Sequence, residues 1–197
     1  QMRERLVNIA KAQRKPILGH FELTARCNLD CKMCYVHNQN NAEALRNELT
    51  TDQWKRIFDE AYNCEMLYAT LSGGECLVRK DFKELYLHLW NKRVMITIMT
   101  NGTLLNDDYV EFFKIYQPEL IQVSLYGSSE EGYLQVTGHK GFEKAIAAIS
   151  TLQEAGIDVR VAVTPSKYMK DDFINILRLC KEKGFYSPLT DITLVPN

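Results

Sequence analysis

The run Ile17-Leu18-Gly19-His20-Phe21-Glu22-Leu23-Thr24, two residues ahead of Cys27-Asn28-Leu29-Asp30-Cys31-Lys32-Met33-Cys34, decides how the rest of the chain is read. An apolar, strand-like segment ends in a tight loop carrying three thiols, spaced by three residues and then by two. Thiolates ligate zinc, cuprous copper or iron–sulfur clusters, so three of them on one short loop are a metal or cluster site. A cubane iron–sulfur cluster normally takes four thiolates, and the nearby sequence supplies three. An iron without a protein ligand is a place that a substrate or cofactor can occupy. The loop therefore points to chemistry beyond the storage of one electron.

Outward from this loop, strand and helix patterns alternate. The asparagine-rich segment His37 to Asn47 has no clear periodicity and reads as an exposed loop. Thr50 with Gln53 reads as a capping box ahead of Trp54, Ile57, Phe58 and Ala61 at helical spacing. Met66 to Leu71 is a strand ending in Gly73-Gly74. Asp81 with Glu84 opens a helix whose buried face is Phe82, Leu85, Tyr86 and Leu89. Val94 to Thr100 is a strand stopped by the turn dipeptide Asn101-Gly102. Asn106 caps a helix with an aromatic core stripe, Tyr109, Phe112, Phe113 and Tyr116, ended by Pro118. Strand Leu120 to Leu125, helix Phe142 to Ala155 stopped by Gly156, strand Val159 to Thr164, helix Asp171 to Lys183 and strand Ile192 to Val195 complete the chain.

This alternation predicts an α/β fold with a parallel sheet and right-handed crossovers. Periodicity leaves an open doubly wound sheet and a partial barrel both standing. The unusual residues, namely the cysteines, Gly73-Gly74-Glu75, Thr100-Asn101, Ser124 to Gly127, Thr164 and Val195, all fall at C-terminal strand ends. That edge binds ligands in parallel α/β folds, and a ring of such positions around one mouth favours the barrel.

Composition narrows the class. The 197 residues suffice for one domain with a short arm, 1–16 as an amphipathic N-terminal helix and 17–197 as the core. With 24 basic against 25 acidic side chains the net charge is -1, and no charge stripe asks for nucleic acid. No apolar run reaches bilayer-spanning length and no signal-peptide core is present, so a cytoplasmic protein without membrane partners is expected. The other thiols, Cys64, Cys76 and Cys180, are scattered, which reads as ligation by the loop in a reducing compartment and mostly buried small hydrophobes elsewhere.

The three-cysteine loop together with Ser72-Gly73-Gly74-Glu75, in this order and at this separation, resembles the radical S-adenosylmethionine (SAM) superfamily. The resemblance runs from about Ile17 to Val195. It implies a partial (β/α)6 TIM-like barrel and an oxygen-sensitive 4Fe-4S cluster held by Cys27, Cys31 and Cys34. SAM then chelates the open iron and is cleaved reductively to a 5′-deoxyadenosyl radical that abstracts hydrogen from substrate. Residue by residue, the resemblance implies SAM contacts by Met33 (backbone to adenine), Gly73, Gly74 and Glu75 (amino group), Asn101, Ser124 (ribose or carboxylate) and Val195 (adenine). Met33 departs from the aromatic or large apolar residue usual there.

Arg160 interrupts an apolar strand; a buried arginine there is costly unless paired, and its fork of donors suits the SAM carboxylate. The alternative has it pointing outward to an acid between helices. Cys76 is read as a reactive thiol at the rim or as a partly buried cysteine without a role, the second preferred, and His20, His37 and His139 as non-ligands.

Glu130 to Gly138 continues the fourth-strand motif in a way similar to peptide- and protein-modifying maturases and to molybdenum-cofactor biosynthesis enzymes. Both continue past the sixth strand with further cysteine clusters, so a core excised from a longer enzyme is expected. A peptide or protein substrate is preferred, with a small-molecule substrate, or a non-catalytic zinc or iron–sulfur module, as alternatives. The radical reading also requires an electron donor such as flavodoxin or ferredoxin.

Overall fold

The computed structural model describes residues 8, 10–36, 40 and 42–185. Its elements alternate as expected: β1 (Leu18–Glu22), α1 (Ala42–Asn47), α2 (Thr51–Asn63), β2 (Tyr68–Ser72), α3 (Phe82–Trp90), β3 (Met95–Thr100), α4 (Asp107–Ile115), β4 (Leu120–Ser124), α5 (Glu130–Thr137), α6 (Phe142–Glu154), β5 (Val159–Ala162) and α7 (Phe173–Glu182).

The strands form one parallel sheet in the order β1-β2-β3-β4-β5. Each crossover steps to the adjacent strand in the same direction. A doubly wound sheet reverses direction at its switch point, so the fold is the TIM-like partial barrel. The expected sixth strand, with Val195, lies outside the described residues, as does half of the expected N-terminal helix.

Register separates two faces. Phe21, Leu71, Ile98, Val123 and Val161 belong to the buried core with Phe58, Phe82, Phe113 and Ile149 of the helices. The opposite face alternates with them and is polar: His20 stands beside Thr70 and Thr97, Glu22 beside Ser72, and Gln122 beside Arg160. This is the inner face of the barrel, and its polarity marks it as a surface for ligands and not a second core.

Local chemistry explains the ends. Thr50 and Gln53 close the capping box of α2 reciprocally. Asn106 caps α4 through the Tyr109 N–H. Asp81 does not cap α3 as expected; its carboxylate turns to Arg79 at 2.7 Å. Arg79, nearly buried, donates to the Leu23 carbonyl and to the Leu49 carbonyl, both at 3.1 Å, and so clasps the end of β1 to the corner between α1 and α2. In the aromatic stripe only Phe113 is fully buried; Tyr109, Phe112 and Tyr116 pack against the core partly covered.

Two expectations about the elements are corrected. The segment read as a loop from His37 to Asn47 contains α1, which buries none of its residues and so leaves no apolar periodicity to detect. Helix α5 was not anticipated, although Ser129 accepts from the Gly132 N–H as its N-cap and Gly138 ends it at φ 74°. Of the scattered thiols, Cys76 and Cys180 are buried and Cys64 is exposed, so most of them are buried as expected.

Candidate cluster and cofactor site

The cysteine loop hangs from the C-terminal end of β1 and is held from two sides. Its Asp30 N–H and Lys32 N–H donate to the Thr137 and Val136 carbonyls, at 2.9 and 3.0 Å, at the last turn of α5. On the other side, the Gly74 N–H donates to the Thr24 carbonyl at 2.7 Å and the Glu75 N–H to the Arg26 carbonyl at 2.8 Å. Two amides of the Gly-Gly-Glu segment thus bind the chain that leads into Cys27.

Glycine is required there by space: a Cβ at Gly73 would stand 2.4 Å from the Thr24 carbonyl oxygen, and one at Gly74 2.4 Å from that of Arg26. The Glu75 side chain points inward and is 1% exposed. It accepts from the Asn101 N–H at 2.7 Å, the Thr100 hydroxyl at 2.9 Å and the Leu77 N–H at 3.0 Å. Burial raises its pKa against these opposing donors. Glu75 thus ties the end of β2 to the end of β3.

Cys27 is buried, while Cys31 and Cys34 are half-buried. The Cys27 sulfur receives the Leu29 N–H at 3.4 Å and the Asn101 amide at 3.8 Å. Asn101 in turn donates to Asn28 at 2.9 Å and accepts from the Thr103 N–H at 2.9 Å. Sequence reading placed Asn101 at the mouth but missed Asn28, whose part is fixed only by the approach of β3 to the loop. Burial, followed by the neighbouring Cys27 and Cys34, pushes the Cys31 thiol up to about 12; burial also raises Cys27.

Among the described residues no three His, Cys, Asp or Glu side chains converge closely enough to hold a single metal ion. A cubane cluster binds each cysteine to a different iron, so its ligands need not meet at one point. Three thiols on one loop, one buried with N–H donors aimed at its sulfur, fit such a group.

Other expected residues fall as follows. Met33 is partly buried against the core. Ser124 lies on the inner face, half-buried, and hydrogen-bonds Tyr126, whose phenol pKa is raised by burial and then by Cys31. Arg160 is exposed, so the premise of a buried arginine is corrected; it stands beside Gln122 on the inner face and not between helices. His20, left without a partner by sequence, sits 2.6 Å (Nε2) from the Ser72 hydroxyl. Cys76 is buried under the mouth with its thiol directed at the Met99 carbonyl, 3.4 Å away, and is no rim thiol. Among the described residues no helix is long and apolar enough to cross a membrane.

Comparison with known proteins places this geometry. The model of the radical SAM superfamily matches residues 21–180. The AdoMet-dependent heme synthase of Methanosarcina barkeri is 33% identical over 170 residues, 86% of this chain and 48% of that protein. The antilisterial bacteriocin subtilosin biosynthesis protein AlbA of Bacillus subtilis is 32% identical over 151 residues, 76% of this chain and 33% of that protein. The structure of Streptococcus suis SuiB bound to the precursor peptide SuiA shares the fold with a TM-score of 0.73 at 21% identity, over 92% of this chain and 41% of that one. The chain spans less than half the length of each of these relatives.

Proposed function

The chain belongs to the radical SAM superfamily, and from that premise we propose that it is the core of an enzyme that cleaves SAM at a 4Fe-4S cluster and modifies a peptide. The observation that carries the reading is the joint at the mouth, where the Gly74 and Glu75 amides bind the Thr24 and Arg26 carbonyls that lead into Cys27. The two segments that define the family's site are thereby one rigid unit.

When bound, the cluster and SAM supply a 5′-deoxyadenosyl radical, at the cost of one electron from a donor such as flavodoxin or ferredoxin. The residues of this chain do the rest. Cys27, Cys31 and Cys34 hold the cluster, and the Leu29 and Asn101 donors stabilise negative charge on the Cys27 sulfur. Gly73, Gly74 and Glu75 form the wall toward the SAM amino group, with Met33 beside the adenine. Ser124 and Arg160 offer a hydroxyl and a fork of donors from the inner face, Arg160 toward the carboxylate. Val195 completes the adenine contacts in this reading. The buried Leu29, Leu125 and Tyr133 lie in the core behind the mouth and keep water from that side.

A peptide substrate is supported by the subtilosin biosynthesis relative and the peptide-bound SuiB neighbour. A small-molecule substrate is the second reading, and the heme synthase relative favours it. The test is anaerobic reconstitution with iron and sulfide, reduction, and addition of SAM. Brown protein that forms 5′-deoxyadenosine is expected, and Cys27→Ala should lose both colour and product. Colourless, zinc-loaded protein with no 5′-deoxyadenosine would sink the proposal.

A further inference from the structure

An electron bound for the cluster has to cross the cysteine loop from solvent, and the loop is partly open there, since Cys31 and Cys34 are only half-buried. Between them Lys32 is exposed and sets its ammonium 5.8 Å from the centre of the Tyr168 ring. Lys167 sets its own ammonium 5.3 Å from the same ring. Lys170, one turn further along, is exposed too. The short turn Lys167–Met169 packs on α5, whose last carbonyls also hold the loop at Asp30 and Lys32. Two segments far apart in sequence thus bring like charges together over one ring, itself 38% exposed.

Folding does not account for this pair. Lys15, Lys55, Lys83, Lys92 and Lys114 each meet a carboxylate. Lys32, Lys167 and Lys170 meet none among the described residues. The acids of the same segments do not neutralise them: Asp30 and Asp171 are exposed and make no ion pair among those residues, and Asp172 accepts from the Ser128 N–H at 2.7 Å. The net charge of the whole chain is -1, so the patch is local and not part of a general basic excess. An aromatic ring among cations has the make-up of an interface centre with a charged rim. Charge of one sign left uncompensated steers association with a partner of the other sign.

We propose that Lys32, Tyr168, Lys167 and Lys170 form the docking surface for an acidic protein that donates one electron, of the flavodoxin or ferredoxin kind. Carboxylates of the donor meet the three ammonium groups and an apolar part of it covers the ring. The donor is oxidised by one electron, which enters at the segment Cys31 to Cys34 that carries Lys32. The proposal rests on the cluster reading above and names the face at which the reductant binds.

Binding is measured by calorimetry, titrating the reconstituted full chain with oxidised flavodoxin. Saturable binding that weakens with added salt is expected, and none with flavodoxin whose carboxylates have been amidated. Lys32→Gln/Lys167→Gln should weaken it about tenfold, and so should Lys167→Gln/Lys170→Gln, which leaves the cysteine loop untouched. Lys181→Gln/Lys183→Gln, at the far end of α7, removes the same charge and should bind as the parent does. Absence of binding, indifference to salt, or equal loss in the α7 pair and the patch pairs would overturn the proposal. Equal affinity for a capped pentaglutamate peptide would overturn the protein donor as occupant. With dithionite in place of flavodoxin, 5′-deoxyadenosine should form at the parent rate in every variant. Normal product with dithionite but no flavodoxin binding sinks the docking surface alone, whereas absence of product with either reductant sinks the function on which it rests.

Discussion

Gly74→Ala places a methyl group where backbone already stands, 2.4 Å from the Arg26 oxygen, 2.8 Å from the Arg26 carbonyl carbon and 2.9 Å from the Ala25 oxygen. None of these atoms is the movable end of a side chain, so the strand end and the cysteine loop must part. Parting stretches the 2.7 Å and 2.8 Å bonds from Gly74 and Glu75. At about 0.5–1.5 kcal/mol net each, those bonds account for roughly 1–3 kcal/mol. Overpacking adds about 1–3 kcal/mol, giving about 2–6 kcal/mol in total. This is a large share of the roughly 5–15 kcal/mol that holds a domain folded.

Gly156→Ala is the control. Gly156 has φ 72° with nothing within 4 Å of an added Cβ, so it pays only left-handed strain of about 1–2 kcal/mol. Urea unfolding of the apoprotein measures both changes, and iron per chain after reconstitution measures the loop. Gly74→Ala should be the more destabilised and also iron-poor, whereas Gly156→Ala should bind iron normally. If Gly74→Ala costs no more than Gly156→Ala and keeps its iron, the joint between the two segments does not organise the site.

Asn101→Ala removes the donor facing the Cys27 sulfur and the brace on Asn28. The reconstituted cluster should then have a more negative reduction potential, since hydrogen bonds to sulfur raise it; spectroelectrochemical titration reads the shift. Arg160→Ala should weaken SAM binding about tenfold at unchanged iron content, and unchanged affinity by calorimetry removes Arg160 from the site. Burial pushes Glu48 and Asp81 up, but hydrogen bonds and charge, from Arg26 with Thr24 and from Arg79 with Thr51, more than offset it and leave both below their ordinary 4.5 and 3.8. Depressed carboxylates add stability that is complete above their unfolded values and lost as pH falls through the folded ones. Acid unfolding should therefore weaken the chain below about pH 4.5 (the ordinary Glu value), and Glu48→Gln should flatten that dependence in denaturant midpoints measured against pH.

Much of this fold is local and could be read directly. The capping box at Thr50 and Gln53, the cap at Asn106 and the stop at Gly156 are decided within a few residues, and the helix faces by spacing. What escaped reading lacked such a signal or carried it weakly. Helix α1 buries nothing, α5 is short with a glycine inside it, and Asp81 found a better partner in Arg79 than in its own helix. In the site, the cysteine spacing and the Gly-Gly-Glu segment stood out as motifs. The roles of Asn28, Asn101 and His20 depend on residues some fifty to seventy-five positions away.

Ligand chemistry is a property of residue types and their spacing, so three thiols on one loop, and the alternation of strands and helices around them, are already present in the linear chain. Direction in space is not. The sequential strand order that makes the sheet a barrel arises only when the strands pair. The same holds for the placing of Arg160 on the open inner face and for the turning of Glu75 inward to bind Thr100 and Asn101. Side-chain facing follows from register and long-range pairing, and neither is written in the residues that do the facing.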